Sequence, residues 1–287
     1  MNGRQFGVIV TLLFVVMTAA SLILPLGINV KVLVIGWFAF AAMMGGTLLG
    51  VFADSRSKEN YARNIVWGYG LASGAMITSS TVFLIPPALG LDKAMGGFGI
   101  ALGLITGFTT HTVSHSSRTS FLKFDHTVVN ITAHTVAAGA IIGVIYEGLP
   151  GLGLVLGLAI VSHKGPGGYS IARRLKRLED KKDVLVLLTP SSSVGVMAIL
   201  TNYFGIPAIP SLHGLVFGFS AGIFLHVALD FLPRCQHGSE IYEIVESETD
   251  ESDELHTHSE ILDKLRVHSV VSTLLGLGVI AAAWWLV

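Results

Sequence analysis

The chain is poor in charge and nearly devoid of cysteine. Charged residues occupy 13 % of its 287 positions, against roughly 25 % in an ordinary soluble domain, which excludes a water-exposed globular body as the main architecture. Cys235 is the one cysteine, so a disulfide framework within one chain is excluded, as is a metal site built from this chain's thiolates alone. What fills the sequence instead is hydrophobic residue, 52 % of the total. Apolar runs near the ~20 residues needed to cross a bilayer recur along the whole length. The reading is an all-α polytopic membrane protein built as one bundle, and not a soluble domain with an anchor. The lipid bilayer is therefore an expected partner, and nucleic acid is not. The formal net charge of -1 says less than the placement of the charges.

Nine spans are read, at 6–26, 30–53, 65–86, 96–116, 126–147, 151–172, 184–205, 210–232 and 267–287. The first follows Arg4 and contains Thr18-Ala19-Ala20-Ser21, which also fits a secretory signal with a cleavage site. It is longer than the roughly 7 to 15 residues of a usual signal core, which favours retention. Residues 1–29 are thus an added N-terminal helix and 30–287 an eight-helix body. With the amino terminus inside, fifteen of the eighteen basic residues fall on the cytoplasmic side. Lys31 and Lys93 fall outside and Lys164 lies within a span. This is the distribution that the positive-inside rule requires, and it puts the carboxyl terminus on the far side of a cell (plasma) membrane.

Small residues recur at four-residue spacing in Gly70 and Gly74, Gly153 and Gly157, and Gly218 and Gly222. Such pairs let helix backbones approach closely, within the bundle or between the protomers of a homodimer. The long loop, 233–265, carries ten acidic residues between Gln236 and Asp263. Its composition predicts a disordered cytoplasmic segment. It is either a solvated charge run or a flexible, weak cation trap using His237, His256 and His258.

Chemistry concentrates between residues 126 and 168. His126, Asn130 and His134 recur at i, i+4 and i+8, which places them on one face of a helix. A short turn around Leu149-Pro150-Gly151 lays the next helix antiparallel beside it, so His134 and His163 can meet. Counted from the cytoplasmic ends, His134 lies about 12 Å deep and His163 about 13 to 14 Å. His226 follows at about 9 Å, His111 at about 7 to 8 Å and Asn130 at about 6 Å, with His115 and His126 at the inner mouth. The pattern predicts a polar ladder from the midplane to the cytoplasm, and ionisable groups within spans usually mark a path or site. Pro166 has no N–H for the carbonyl of Ser162 one turn earlier, and Gly165, Gly167 and Gly168 soften the same helix. A discontinuous helix with spare carbonyls and imidazoles is how transporters build cation sites. Imidazole suits zinc, copper, iron or nickel better than magnesium or calcium. The bland alternative is a set of satisfied core histidines.

One further string, Gly218-Phe219-Ser220-Ala221-Gly222 with His226 six residues on, fits the pattern of a serine-hydrolase elbow. That elbow needs a strand, a turn and a helix, which a spanning helix does not provide. No enzymatic activity is expected.

The segments His134-Thr135-Val136-Ala137-Ala138-Gly139 and His163-Lys164-Gly165-Pro166-Gly167-Gly168 resemble two motifs of the ZIP family of divalent-metal transporters. These are His-Asn-x-x-Asp/Glu-Gly and His-x-x-Pro-Glu-Gly, on the family's fourth and fifth helices. The stretch from Ala221 to Pro233, which contains His226 and Asp230, is similar to the seventh. Eight spans from residue 30 onward follow the family's order. The resemblance implies a ZIP-like bundle with one added helix, no resident cofactor, and a divalent metal ion as cargo, zinc first and iron or manganese next. It also implies a metal site at His134 and His163 with help from Thr135. The inward route would use His226, His111 and other polar residues of the ladder, Asn130 and Asp230 among them. A dimer is implied as well. The chain departs from the motifs where carboxylates would stand, at Ala138 and Gly167, and has Thr135 in place of asparagine. Phe83-Leu84-Ile85-Pro86-Pro87 replaces the family's His-x-x-Pro-Glu on the second helix. Lys164 is similar to a subgroup in which an ammonium takes the place of a second metal ion, and a positive charge there opposes a dication. Binding is therefore expected to be weak and strongly pH-dependent.

Overall fold

A computed structural model describes residues 3–53, 58–116, 126–148, 154–179, 184–207, 209–237, 239–246 and 254–285. Among them every regular element is a helix. The order is α1 (Gly3–Ile23), α2 (Val30–Phe52) and α3 (Lys58–Ser79), which runs through a π-helical turn at Ser80–Leu84 into α4 (Ile85–Leu91). Then come α5 (Lys93–Ser116), α6 (His126–Gly148), α7 (Leu154–Val161) and α8 (Lys164–Glu179). A short 3-10 turn, Val184–Leu187, leads into α9 (Leu188–Phe204), followed by α10 (Pro210–Asp230), α11 (Glu240–Glu246) and α12 (Glu254–Trp285).

Six helical stretches among the described residues are long and apolar enough to cross a membrane: Gly3–Ile23, Val30–Phe52, Glu59–Leu91, Leu185–Phe204, Pro210–Asp230 and Ser259–Trp285. Three of the nine stretches read as spans fall outside that set. In α5 glycine and threonine dilute the apolar run, α6 offers a shorter one at Ile131–Glu147, and the next helix is interrupted between α7 and α8. The outer surface carries large apolar side chains, including Ile23, Phe52, Phe98, Phe108, Phe204 and Trp285. Such a surface is costly in water and unremarkable against lipid tails.

The π-helical turn has a local cause. Pro86 and Pro87 cannot donate to the carbonyls one turn earlier, and the helix absorbs the loss by widening, with the Ile85 amide reaching back five residues to the carbonyl of Ser80. The Ser80 hydroxyl then crosses to the carbonyl of Ala221 on α10 at 3.1 Å.

Glycine sets how closely the helices pack. A β-carbon on Gly70 or Gly74 would lie 1.9 Å from the Ser272 hydroxyl or 2.0 Å from the Thr273 carbonyl of α12. On Gly218 and Gly222 it would lie 2.2 and 2.3 Å from carbonyls of α5. These small-residue faces are therefore occupied within the chain and are not free for a second copy. Gly153 lies outside the described residues. The first helix is equally part of the body: the Phe14 ring is fully buried and sits where a β-carbon on Gly195 would be, 2.1 Å from Cε2. Thr11 and Ser192 share a hydrogen bond of 2.7 Å between α1 and α9.

The buried apolar side chains form two large clusters, stacked along the helices. Along α2 the boundary between them falls between Ala39 and Met43, along α6 between Ile131 and Ala138, and along α10 between Phe224 and Val227. A seam thus crosses the bundle, and His134 lies in it.

Where it is described, the acidic loop departs from the expectation of disorder; residues 238 and 247–253 lie outside the described residues. Its residues 240–246 form α11, whose Ile241, Ile244 and Val245 are buried in the second cluster. Glu240 accepts a hydrogen bond from the Tyr69 hydroxyl at 3.2 Å and pairs with Arg174 of α8 at 3.7 Å. Residues 254–265 belong to α12, which starts well before the apolar span read at 267. Composition predicted disorder because it counts charge over the whole loop, whereas three apolar residues at helical spacing suffice to dock a short helix on an existing surface. Cys235 is buried beside this segment, and the burial pushes its thiol pKa up.

A close backbone approach lies beside the break between α7 and α8, where a β-carbon on Gly46 would stand 2.0 Å from the carbonyl oxygen of Gly165. Gly46→Ala is expected to destabilise the protein by about 1–3 kcal/mol, because the obstacle is backbone. Gly97→Ala, which meets nothing within 4 Å, should be neutral or mildly stabilising. Thermal unfolding of the two variants in detergent checks this.

Candidate functional site at a broken helix

Between α7 and α8 the helix opens for two residues, Ser162 and His163. The sequence explains the place: Gly165, Pro166, Gly167 and Gly168 follow at once, combining weak helix formers with a proline at the third position of the new helix, where its missing N–H is not needed. The amide of Gly167 closes the first turn of α8 on the carbonyl of His163 at 2.9 Å. The break leaves the last carbonyls of α7 beside the first amides of α8, the local chemistry from which cation sites are made in transporters.

The break presents His163 to His134 on α6. The two Nε2 atoms lie 2.9 Å apart, and the residues are 3 % and 1 % exposed. One ring donates and the other accepts. Whichever way the proton sits, Nδ1 of His134 is buried with no hydrogen-bond partner among the described residues, an arrangement that costs roughly 1–3 kcal/mol. Phe224 of α10 covers the pair, its ring centroid 4.3 Å from that of His134 and 5.6 Å from that of His163. A cavity of about 10 Å³ adjoins the rings, lined among others by Met43, Met76, Thr135, Lys164 and Phe231. That is room for about one water molecule or one desolvated ion.

Thr135 is fully buried and donates its hydroxyl proton to the carbonyl of Thr132 at 2.9 Å, which leaves the oxygen lone pairs for a cation. Lys164 is 3 % exposed, and its Nζ has no hydrogen-bond partner among the described residues. It also starts α8, whose amino-terminal end carries a partial positive charge. The described lining holds no carboxylate.

Whether these residues fit a metal ion is a question of distance. Two imidazoles holding zinc tetrahedrally, each at about 2.0–2.1 Å, stand about 3.3 Å apart at nitrogen. The observed 2.9 Å is a hydrogen bond. Admitting an ion requires the rings to part by a few tenths of an ångström and both Nε2 atoms to be free of protons. Among the described residues no group of three or more histidine, cysteine, aspartate or glutamate side chains could hold a metal ion. The two imidazoles fit a metal as a pair, and the remaining donors must be of other kinds.

The other residues singled out from the sequence are dispersed. His226 lies two positions from Phe224, about 200° around the helix, and so faces away from the imidazole pair. Its ring packs on α5, where a β-carbon at Gly107 would be 2.5 Å from it, and Nε2 lies 3.4 Å from the Asp230 carboxylate. The expected ladder does not pass from His134 to His226 along one face. The side chains of His111, His115, His126, Asn130, His256 and His258 lie outside the described residues. His237 is exposed and stacks edge-on against Tyr242 at 4.8 Å, away from the pair. Ser220 sits in mid-helix between glycines packed on α5, with no elbow around it.

Met43, Met76 and Phe224 were not anticipated. Each is an apolar residue in an apolar helix, and only the tertiary seam distinguishes it from its neighbours. Phe224 had one available signal, its place in the stretch from Ala221 to Pro233. Comparison of the chain with protein-family models and with curated proteins finds no match.

Burial should protect both imidazoles from diethylpyrocarbonate, while the exposed His237 reacts. Phe224→Ala removes the shared cover, and mass spectrometry should then show modification of His134 and His163, together with a stability loss of about 3–5 kcal/mol.

Proposed function

We propose that the chain is a membrane permease for transition-metal cations, zinc foremost and iron or manganese next, with the ion passing between α6 and α8 at His134 and His163. The observation that carries this reading is the buried contact of two imidazoles, 2.9 Å apart, at the point where a helix is interrupted. Ionisable groups are rarely kept at such a place without use. Thr135 and the carbonyls that end α7 supply oxygen donors, and water completes the coordination sphere. Nine crossings with the amino terminus inside put the arginine-rich end of α8 in the cytoplasm of the host cell, in line with the positive-inside rule. The closed, nearly dry cavity then corresponds to an occluded state, and transport needs one group of helices to rock against another about the seam.

A second reading, a cation sensor that does not transport, draws on the lack of a carboxylate in the described lining and on the docking of α11 to α3 and α8 through Glu240. Zinc uptake by cells expressing the protein separates the two. Under the permease reading uptake exceeds that of control cells and falls to their level in His134→Ala with His163→Ala. Uptake that the double variant leaves unchanged removes this site from the path. A sensor shows no uptake at all, and its response to metal is lost when His256 and His258 are replaced by alanine.

A further inference from the structure

We infer that the site between α6 and α8 is selective for a soft monovalent cation, copper(I) or its analogue silver(I), over a divalent one, with Met43 and Met76 completing the donor set. The inference rests on the permease reading and changes its cargo, putting copper(I) ahead of zinc.

Three observations converge. The first is the donor chemistry. The cavity beside His134 and His163 is also lined by Met43 of α2 and Met76 of α3, each 2 % exposed. Thioethers and neutral imidazoles are soft or borderline donors, and thioether ligands select copper(I) among the biological metals. Harder dications such as iron(II) and manganese(II) prefer carboxylate or water oxygen, and the described lining offers no carboxylate.

The second is charge. Moving an ion from water into a dry interior costs an energy that scales with the square of its charge, so a dication costs roughly four times as much as a monocation of the same size. Carboxylates are what normally offset that cost. Here the nearest charge-bearing side chain in the lining is Lys164, of the wrong sign, and the amino-terminal end of α8 adds partial positive charge. A monocation meets the smaller desolvation cost and half the repulsion.

The third is coordination number. Copper(I) and silver(I) accept two to four ligands without demanding water, whereas a dication bound by two imidazoles must keep part of its hydration shell. A cavity of about 10 Å³ does not hold that shell. The two imidazoles and two thioethers come from four segments, α6, the break before α8, α2 and α3, so a bound ion would tie those segments together.

The experiment uses the full chain, purified and reconstituted in liposomes with nitrate as the anion. Silver(I) and zinc(II) uptake are measured in parallel for the wild type, for His134→Ala with His163→Ala, and for Met43→Leu with Met76→Leu. The inference expects silver uptake at least about tenfold faster than zinc uptake, abolished by the histidine changes and strongly reduced by the methionine changes, with residual zinc uptake untouched by the latter. Zinc uptake equal to or above that of silver, dependent on the histidines and indifferent to the methionines, overturns the inference and leaves the permease reading in place. Absence of histidine-dependent uptake of either ion overturns both. Should the methionine variant fail to fold, X-ray absorption at the silver edge of the loaded wild type decides: sulfur in the first shell supports the inference, and nitrogen and oxygen alone overturn it.

Discussion

Two imidazoles joined by one hydrogen bond in the interior of an apolar bundle impose a constraint on everything around them. Neither ring can be left to point into hydrocarbon, because an unpaired polar group there costs several kcal/mol. The contact of 2.9 Å therefore fixes the level of α6 against the start of α8, and with it the place where α7 must stop. The break is not a flaw in an otherwise regular span. It is what brings His163 to the same height as His134, and the run Gly165-Pro166-Gly167-Gly168 is the sequence that permits it. The close approach of α2, set by Gly46 and Gly168 against backbone atoms of the partner helix, leaves no room for α8 to slide and so holds the level.

The same constraint explains why the core divides in two. A continuous apolar core would force the imidazoles to be packed among side chains that offer them no partner. Instead the clusters end on either side of the seam along α2, α6 and α10 alike, and Thr135 and Lys164 line the cavity there together with Met43 and Met76 of the second cluster. Such a layer weakens the bundle locally.

The sequence disclosed the helical class, six of the nine apolar stretches read as spans and the meeting of His134 with His163. These follow from run length, from the i, i+4 spacing and from a short connection between antiparallel helices, which are all local properties. It also assigned the paired glycines to packing, and the partners of Gly70, Gly74, Gly218 and Gly222 lie inside the chain. It did not disclose which way His226 faces, because a rotation of about 200° between neighbouring positions of interest is invisible without the partner helix. Nor did it disclose Met43, Met76 or Phe224, since an apolar residue lining a site and one filling a core look alike in a hydropathy pattern. The acidic loop was misjudged for a related reason. Disorder follows from average composition, whereas Ile241, Ile244 and Val245 act as a short stripe against a surface that the rest of the fold supplies.

The docking of α11 bears on how the seam can move. Glu240 touches Tyr69 of α3 and Arg174 of α8, and the carbonyl of Arg173 accepts from the Tyr61 hydroxyl of α3 at 2.8 Å while its guanidinium lies over that ring. The far end of α8 is thus tied to α3 at several points, and the near end, at His163, meets α6 mainly through a single hydrogen bond. A displacement that opens the cavity is opposed least where the contact is one bond and most where it is a cluster of packed and charged groups. Under the proposed permease reading, the helices that would part are α6 and α8, and the imidazole pair would be both the closure and the site. On that reading an ion entering there would replace the hydrogen bond between the imidazoles, so the free energy of coordination would act directly on the equilibrium between closed and open forms.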